Sequence, residues 1–322
     1  MNHVKPEQPS TLINDDKAPS VSTLDPSGSS SNDKRRKVSP QQYEIHKKNF
    51  IKILHKITGY KNTFEVFNDF LSMTTISLRN ILIKDEKREK EYFKLIKHYT
   101  KEQLLMMSEL LKETTMGLGA NFGDFLGEIF MELGFGEGRK GQFFTPYAVS
   151  KMMANVTLDK KVVKQHIERD GFITVHDCAV GAGCLIIASA EYLLELGYNP
   201  QQCMYACVMD VDSTVSKMCY IQLTVLGIPA EVTIGNSLTL EVFDTLYTPF
   251  LYYVPWFYKT LLKGKNKVQK NKKSKKTMED KKVLLGGVIL NPEGVKTLQR
   301  LTEFFKKKKA EKVEVKQASL VF

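Results

Sequence analysis

Between residues 172 and 236 the chain alternates short apolar runs with helix-periodic segments, and that alternation constrains the fold more than any other feature. Phe172 to Val175 form a β-branched run that meets His176 and Asp177, passes a turn spaced by Gly181 and Gly183, and opens into apolar-periodic sequence. The pattern predicts strand 172–176, helix about 184–196, strand 204–209, helix about 213–226 and strand 231–234. Strands joined through single helices by short connections form a parallel sheet with helices packed on its faces. Ligands of such sheets bind beyond the carboxyl ends of the strands.

Glycine suits a backbone that must turn sharply and admit a ligand without a Cβ in the way, and the helix that follows offers unpaired N–H groups at its start. The second predicted strand ends at Asp210, where a carboxylate can accept both hydroxyls of a ribose. Asp212 is better placed to cap the helix that begins near Ser213. The third strand ends in Gly235-Asn236-Ser237, which brings a polar side chain to the same edge. A nicotinamide-type loop would want G-x-G-x-x-G, but the residue three beyond Gly183 is Ile186.

Around this core the chain divides into five stretches. Residues 1–40 are rich in Ser, Pro, Asp and Lys and read as a disordered tail. Residues 41–135 read as a helical region, with Phe50, Ile53, Leu54 and Ile57 at helix spacing and Asp124 in a cap before Phe125. Residues 136–262 hold the α/β core, entered through Thr145-Pro146, where a helix begins with Val149, Met152 and Met153 on one face. The aromatic stretch 242–258, interrupted by Pro249 and Pro255, is expected to cover the core. Residues 263–283 form a lysine-rich linker, and 284–322 a C-terminal segment that opens on a short apolar strand or hydrophobic segment ending in a turn.

The formal charge of +11 suits a polyanionic partner, but the ten lysines of 263–282, set against one Glu and one Asp, supply about 8 of it. The basic balance is therefore local, and fits nonspecific contact with phosphates. Five cysteines without a CxxC pair argue against a disulfide framework and against a zinc site, so no metal is expected. No apolar run approaches the roughly 18 residues of a membrane helix, and the first residues lack the basic-then-apolar order of a secretory leader, so a cytoplasmic protein is expected.

Taken together, Gly141 through Pro146 (G-Q-F-F-T-P), the D-C-A-V-G-A-G turn from Asp177 to Gly183, and Asp210 resemble the S-adenosylmethionine-dependent N6-adenine DNA methyltransferases of the type I restriction-modification kind, with their phage and mobile-element relatives. The opening motif matches without a break. The cofactor loop D-P-A-C-G-S-G is matched at Asp177, Ala179, Gly181 and Gly183. The resemblance implies a Rossmann-like methyltransferase core behind an α-helical N-terminal region. It also implies a pocket for S-adenosyl-L-methionine, with Gly181 and Gly183 near the methionine part, Asp210 on the ribose, Asn236 toward the adenine, and Thr145 and Pro146 folding over the cofactor. DNA is the implied substrate, and a specificity subunit or second methyltransferase subunit an implied partner.

Amino-methylating members carry Asn or Asp followed by Pro-Pro and an aromatic, so that side-chain and backbone oxygens hold the target amino group in line with the methyl donor. This chain has no such run. Two partial substitutes are Tyr247-Thr248-Pro249-Phe250 and Asn291-Pro292. Three readings therefore stand: an adenine-N6 methyltransferase whose activity is low or partner-dependent, a degenerate relative that binds cofactor, DNA or a partner without methyl transfer, and nonspecific nucleic-acid binding through the lysine linker. The terminal residues Gln317, Leu320 and Phe322 are also similar to the short Gln-x-x-Leu-x-Phe peptides with which bacterial replication proteins dock on the sliding clamp.

Overall fold

Helix caps set the boundaries of the amino-terminal half. The computed structural model describes residues 39–59, 61–81, 85–136 and 144–254, and the backbone of 283–285 and 288–290. Ser39, Asn62, Asp85 and Asp124 each accept a backbone N–H at the start of helices α1 (Pro40–Thr58), α2 (Thr63–Asn80), α3 (Glu86–Ile96) and α5 (Phe125–Glu132). Thr100 and Gln103 close a reciprocal capping box on α4 (Lys101–Ala120). Helices α1 and α4 pack along each other, and α2 lies against α1 and α3. Their apolar stripes, led by Phe50, Leu54, Phe67, Phe70, Leu110, Leu118 and Phe125, form one buried core continuous with that of the sheet.

The sheet follows α6 (Tyr147–Thr157) and α7 (Lys160–Asp170). Strand β1 (Ile173–Asp177), helix α8 (Cys184–Glu195), β2 (Met204–Asp210), α10 (Ser213–Val225) and β3 (Ala230–Asn236) fall within two residues of the expected alternation, with an additional short turn of helix, α9 (Pro200–Cys203), before β2. The three strands run parallel in the order β1-β2-β3. Almost every residue of β2 and β3 is buried or half-buried, as expected of a sheet covered on both faces.

One element departs from the parallel scheme. Glu241–Tyr247 forms β4, which pairs antiparallel with β3, Glu231 opposite Tyr247 and Asn236 opposite Glu241. The aromatic stretch was expected as a covering segment, and its first half is instead an edge strand. Val242, Thr245 and Tyr247 suit an extended chain, and Pro249, which cannot donate to a ladder, ends it in the 3-10 turn Pro249–Tyr252.

A second difference concerns α6. Its apolar face, Val149, Met152, Met153 and Val156, is exposed, while Ser150 and Ala154 are buried. Small residues let α6 approach α8 closely, and Tyr147 and Lys151 fasten it through hydrogen bonds of 2.7 and 3.0 Å to the Glu191 carboxylate. Further along, β5 (Val283–Leu285) and β6 (Val288–Leu290) form a separate antiparallel pair. Residues 1–38 of the expected tail, the lysine-rich stretch through residue 282 and the terminal residues Gln317, Leu320 and Phe322 lie outside the described residues.

Candidate functional site

Register brings three polar side chains to one edge and one face of the sheet. Asp177 pairs with Val208, Asp210 lies two residues beyond Val208 and pairs with Ile234, and Asn236 lies two residues beyond Ile234. Because strand side chains alternate with a period of two, Asp177, Asp210 and Asn236 share a face at the carboxyl ends of β1, β2 and β3. This is the crevice where open α/β sheets hold ligands.

The turn between β1 and α8 is built by glycine and tied down by hydrogen bonds. Gly181 and Gly183 have φ of +57° and +99°, values that L side chains rarely adopt. The Val180 N–H donates to the Met209 carbonyl and the Gly183 N–H to the Val180 carbonyl, both at 3.0 Å. The Gly181 N–H donates to Asp210 Oδ2 at 2.9 Å, and the Asp212 N–H to Asp210 Oδ1 at 3.0 Å. Asp210 thus orders the turn and the entry to α10 while keeping acceptor sites on both oxygens. Asp212 caps α10 through the Thr214 N–H at 2.7 Å, the capping role expected of it.

The two glycines face different neighbours. A Cβ on Gly181 would stand 3.5 Å from the Phe144 ring, whereas one on Gly183 would stand 3.0 Å from Cys219 Sγ of α10. Gly183 therefore serves the close approach of the turn to α10. Helix α8 begins at this point with no side-chain cap, so its first N–H groups are not met by a capping side chain.

Thr145 and Pro146 stand at the start of α6, beside the turn. The Thr145 carbonyl accepts from Cys184 Sγ at 3.4 Å, Pro146 is the N-cap of α6, and the Phe144 ring lies 5.4 Å from that of Phe130. Gly141 to Phe143 lie outside the described residues. The Asn236 oxygen accepts from the Leu238 and Thr239 N–H groups at 2.9 and 3.3 Å, so it shapes the turn into β4.

Charge gives the crevice a sign. Asp177 accepts from the Ala179 N–H at 3.0 Å, and burial, with the neighbouring Asp210 carboxylate adding to it, holds its carboxyl above the usual range. Two carboxylates flank the turn, a pairing that favours a cationic guest.

Pro249 and Phe250 are not brought to this edge. Because β4 runs antiparallel, they follow Tyr247 at the amino ends of β1 to β3, where the Thr248 hydroxyl bonds the Ile228 carbonyl and the Ala230 N–H, each at 2.8 Å. Asn291 and Pro292 lie outside the described residues, immediately after β6. Sequence reasoning missed Phe144 as the cover of Gly181 and Gln222, whose amide bonds the turn from within α10. The signal for Gln222 was an amide in the apolar register of a core helix, between Cys219 and Leu226.

No curated protein sequence matches the chain. Among solved structures, a protein assigned as a class I S-adenosylmethionine-dependent methyltransferase from Listeria monocytogenes is 12% identical, with a TM-score of 0.33 over 59% of this chain and 53% of that one. A type I restriction-modification methyltransferase subunit from Streptococcus thermophilus is 18% identical, with a TM-score of 0.29 over 56% of this chain and 36% of that one. The chain thus spans about half, or less, of the solved chains it matches. The sequence model of the N-6 DNA methylases matches residues 121–283, just over half of the chain, and runs from the cap of α5 through the glycine turn and all four strands of the main sheet. With that match laid over the glycine turn and its acidic edge, the chain belongs to the N-6 DNA methylase family.

Proposed function

We propose that the chain binds S-adenosyl-L-methionine at the β1–α8 turn and acts on the N6 amino group of adenine in DNA, with transfer depending on groups delivered from beyond residue 254 or by a partner subunit. The observation that carries this reading is the pair Asp177 and Asp210 flanking a glycine turn that leads into an uncapped helix. The donor set fits the cofactor group by group. The first N–H groups of α8 suit a carboxylate, Asp210 keeps lone pairs for ribose hydroxyls, and the two acids suit an ammonium and a sulfonium. A pyrophosphate would meet like charge there, which weighs against a dinucleotide.

When bound, the cofactor supplies an electrophilic methyl group. The chain's own part is to hold it. The hydrogen bonds of Asp210 keep the Gly181 N–H and the start of α10 in fixed relation, and Phe144 shields the turn from the side of Gly181. The family and the lysine-rich stretch 263–282 support DNA as the substrate, through phosphate contacts that carry no sequence information.

A second reading, cofactor binding without transfer, is favoured by one observation: Pro249 and Phe250 stand at the opposite edge of the sheet. Calorimetry of S-adenosylmethionine binding combined with labelled-methyl transfer to unmethylated DNA separates the two. The wild type is expected to bind and Asp210→Ala to lose binding. Transfer that disappears in Asn291→Ala while binding persists supports the enzyme, and binding with no transfer in the wild type supports the second reading. A wild type that binds no cofactor refutes both.

A further inference from the structure

Gln222 lies in the last turn of α10, fully buried, and every polar group of its amide is engaged. Its Nε2 donates to Asp124 Oδ1 and to the Ala182 carbonyl, both at 2.8 Å, and its Oε1 accepts from the Leu126 N–H at 3.1 Å. Asp124, also buried, accepts at the same Oδ1 from the Gly127 N–H at 3.0 Å. A Cβ on Gly127 would fall inside the Asp124 carboxyl, so glycine is what allows the carboxyl to sit there. One amide therefore joins the first turn of α5, the last turn of α10 and the glycine turn.

The place it grips matters. Ala182 stands between Gly181 and Gly183, and its carbonyl belongs to the peptide unit that carries the Gly183 N–H. Gly183 frees one of the two torsions that orient that unit, and Gly181 loosens the peptide unit before it. The Gln222 bond to the Ala182 carbonyl adds to the bond from the Gly183 N–H to the Val180 carbonyl and limits that freedom before any ligand arrives, and preorganisation of this kind raises affinity by lowering the cost of ordering.

We propose that Gln222, set by Asp124, is a positioning residue that holds the glycine turn in its ligand-ready shape and links its affinity for S-adenosylmethionine to the helical region. This rests on the cofactor reading above and extends it to residues outside the crevice. The titratable groups facing Asp124 are Tyr43 from α1, Glu128 from α5, Cys184 from α8 and Cys219 from α10. Burial pushes the Tyr43 phenol and both thiols up, Cys184 to about 12, so these three keep their protons near neutrality. Glu128 is paired with Lys47 at 3.2 Å. Burial also pushes the Asp124 carboxyl up, to about 6, and either protonation state leaves Oδ1 able to accept from Gln222.

The test is calorimetry with the full chain, S-adenosylmethionine as the probe and thermal unfolding in parallel. Gln222→Met keeps the volume, removes all three hydrogen bonds, and is expected to weaken binding about tenfold or more. Gln201→Met is the control, because Gln201 makes a comparable bond, 2.9 Å to the Leu226 carbonyl, away from the turn. It is expected to lower stability and leave affinity unchanged. Gln222→Glu keeps the acceptor for Leu126 but donates only when protonated. Its affinity relative to the wild type is therefore expected to rise at least about fivefold from pH 8 to pH 5.5, a change that a purely structural role would not produce. Gln222→Met binding within twofold of the wild type overturns the proposal. If that variant does not fold, a Gln222→Glu ratio that stays flat with pH overturns it instead. A wild type that binds nothing overturns the cofactor reading underneath, which is a separate result.

Discussion

Glu231→Gln makes the buried face of the sheet measurable. Glu231 is 6% exposed, accepts a hydrogen bond from the Tyr205 hydroxyl at 3.1 Å, and stands in a cross-strand row with His176, Cys207 and Tyr247. Burial pushes its carboxyl from an ordinary 4.5 to about 7, with the Tyr205 bond pulling the other way. Because the folded value lies above the unfolded one, the native chain holds this proton more tightly. The stability tied to it is complete below 4.5 and is lost as pH rises through about 7. That interval, at about 1.4 kcal/mol per pH unit, corresponds to about 3 kcal/mol. Glutamine carries no charge at any pH, still accepts from Tyr205, and can donate to the Tyr247 hydroxyl, which is buried without a partner among the described residues. Urea unfolding should therefore give wild type and variant nearly equal stability at pH 4.5 and make the variant more stable by up to about 3 kcal/mol at pH 8.5. The comparison isolates Glu231, since Asp124 is present in both proteins. A difference that does not change between those two pH values would show that Glu231 is not buried as a proton-holding acid.

Two further outcomes follow from the packing. Gly183→Ala is expected to lose about 1–3 kcal/mol from its left-handed backbone and more from the Cys219 contact, whereas Gly171→Ala, whose Cβ would meet nothing within 4 Å, loses only the backbone part. Chemical denaturation checks both, and equal losses would refute the packing role of Gly183. Arg88→Ala removes the two bonds of 2.6 and 2.8 Å that tie α3 to Asp244 on β4, with an expected loss of about 2 kcal/mol, and a variant unchanged in its unfolding midpoint would show that the pair contributes nothing.

How much of this was legible depended on how local the physics was. The glycine turn, the Asp212 cap and the alternation of strand and helix are set by neighbouring residues, and the sequence carries them in short runs. The direction of β4 is not local. Nothing in EVFDTLY distinguishes a strand running with β3 from one running against it, and the choice rests on pairing of Glu231 with Tyr247 and Asn236 with Glu241 across a tight turn. The exposed apolar face of α6 was misleading for a related reason. Periodicity identifies a face, but only tertiary contact shows that Ser150 and Ala154 are the side turned to α8. Gln222 stood in the apolar register of α10, but its letter does not show which groups a buried amide bonds.

The reversal at β4 also sets a condition on reach. A strand of seven residues carries the chain about 23 Å away from the ligand edge, so any group supplied from downstream must first travel that distance back. A two-residue or four-residue connection would make this impossible. The interval 255–282 can span up to about 90 Å when extended, several times what is required. In a chain folded this way, the lysine-rich stretch is long enough to be a tether, and shortening it is a different perturbation from neutralising its charge.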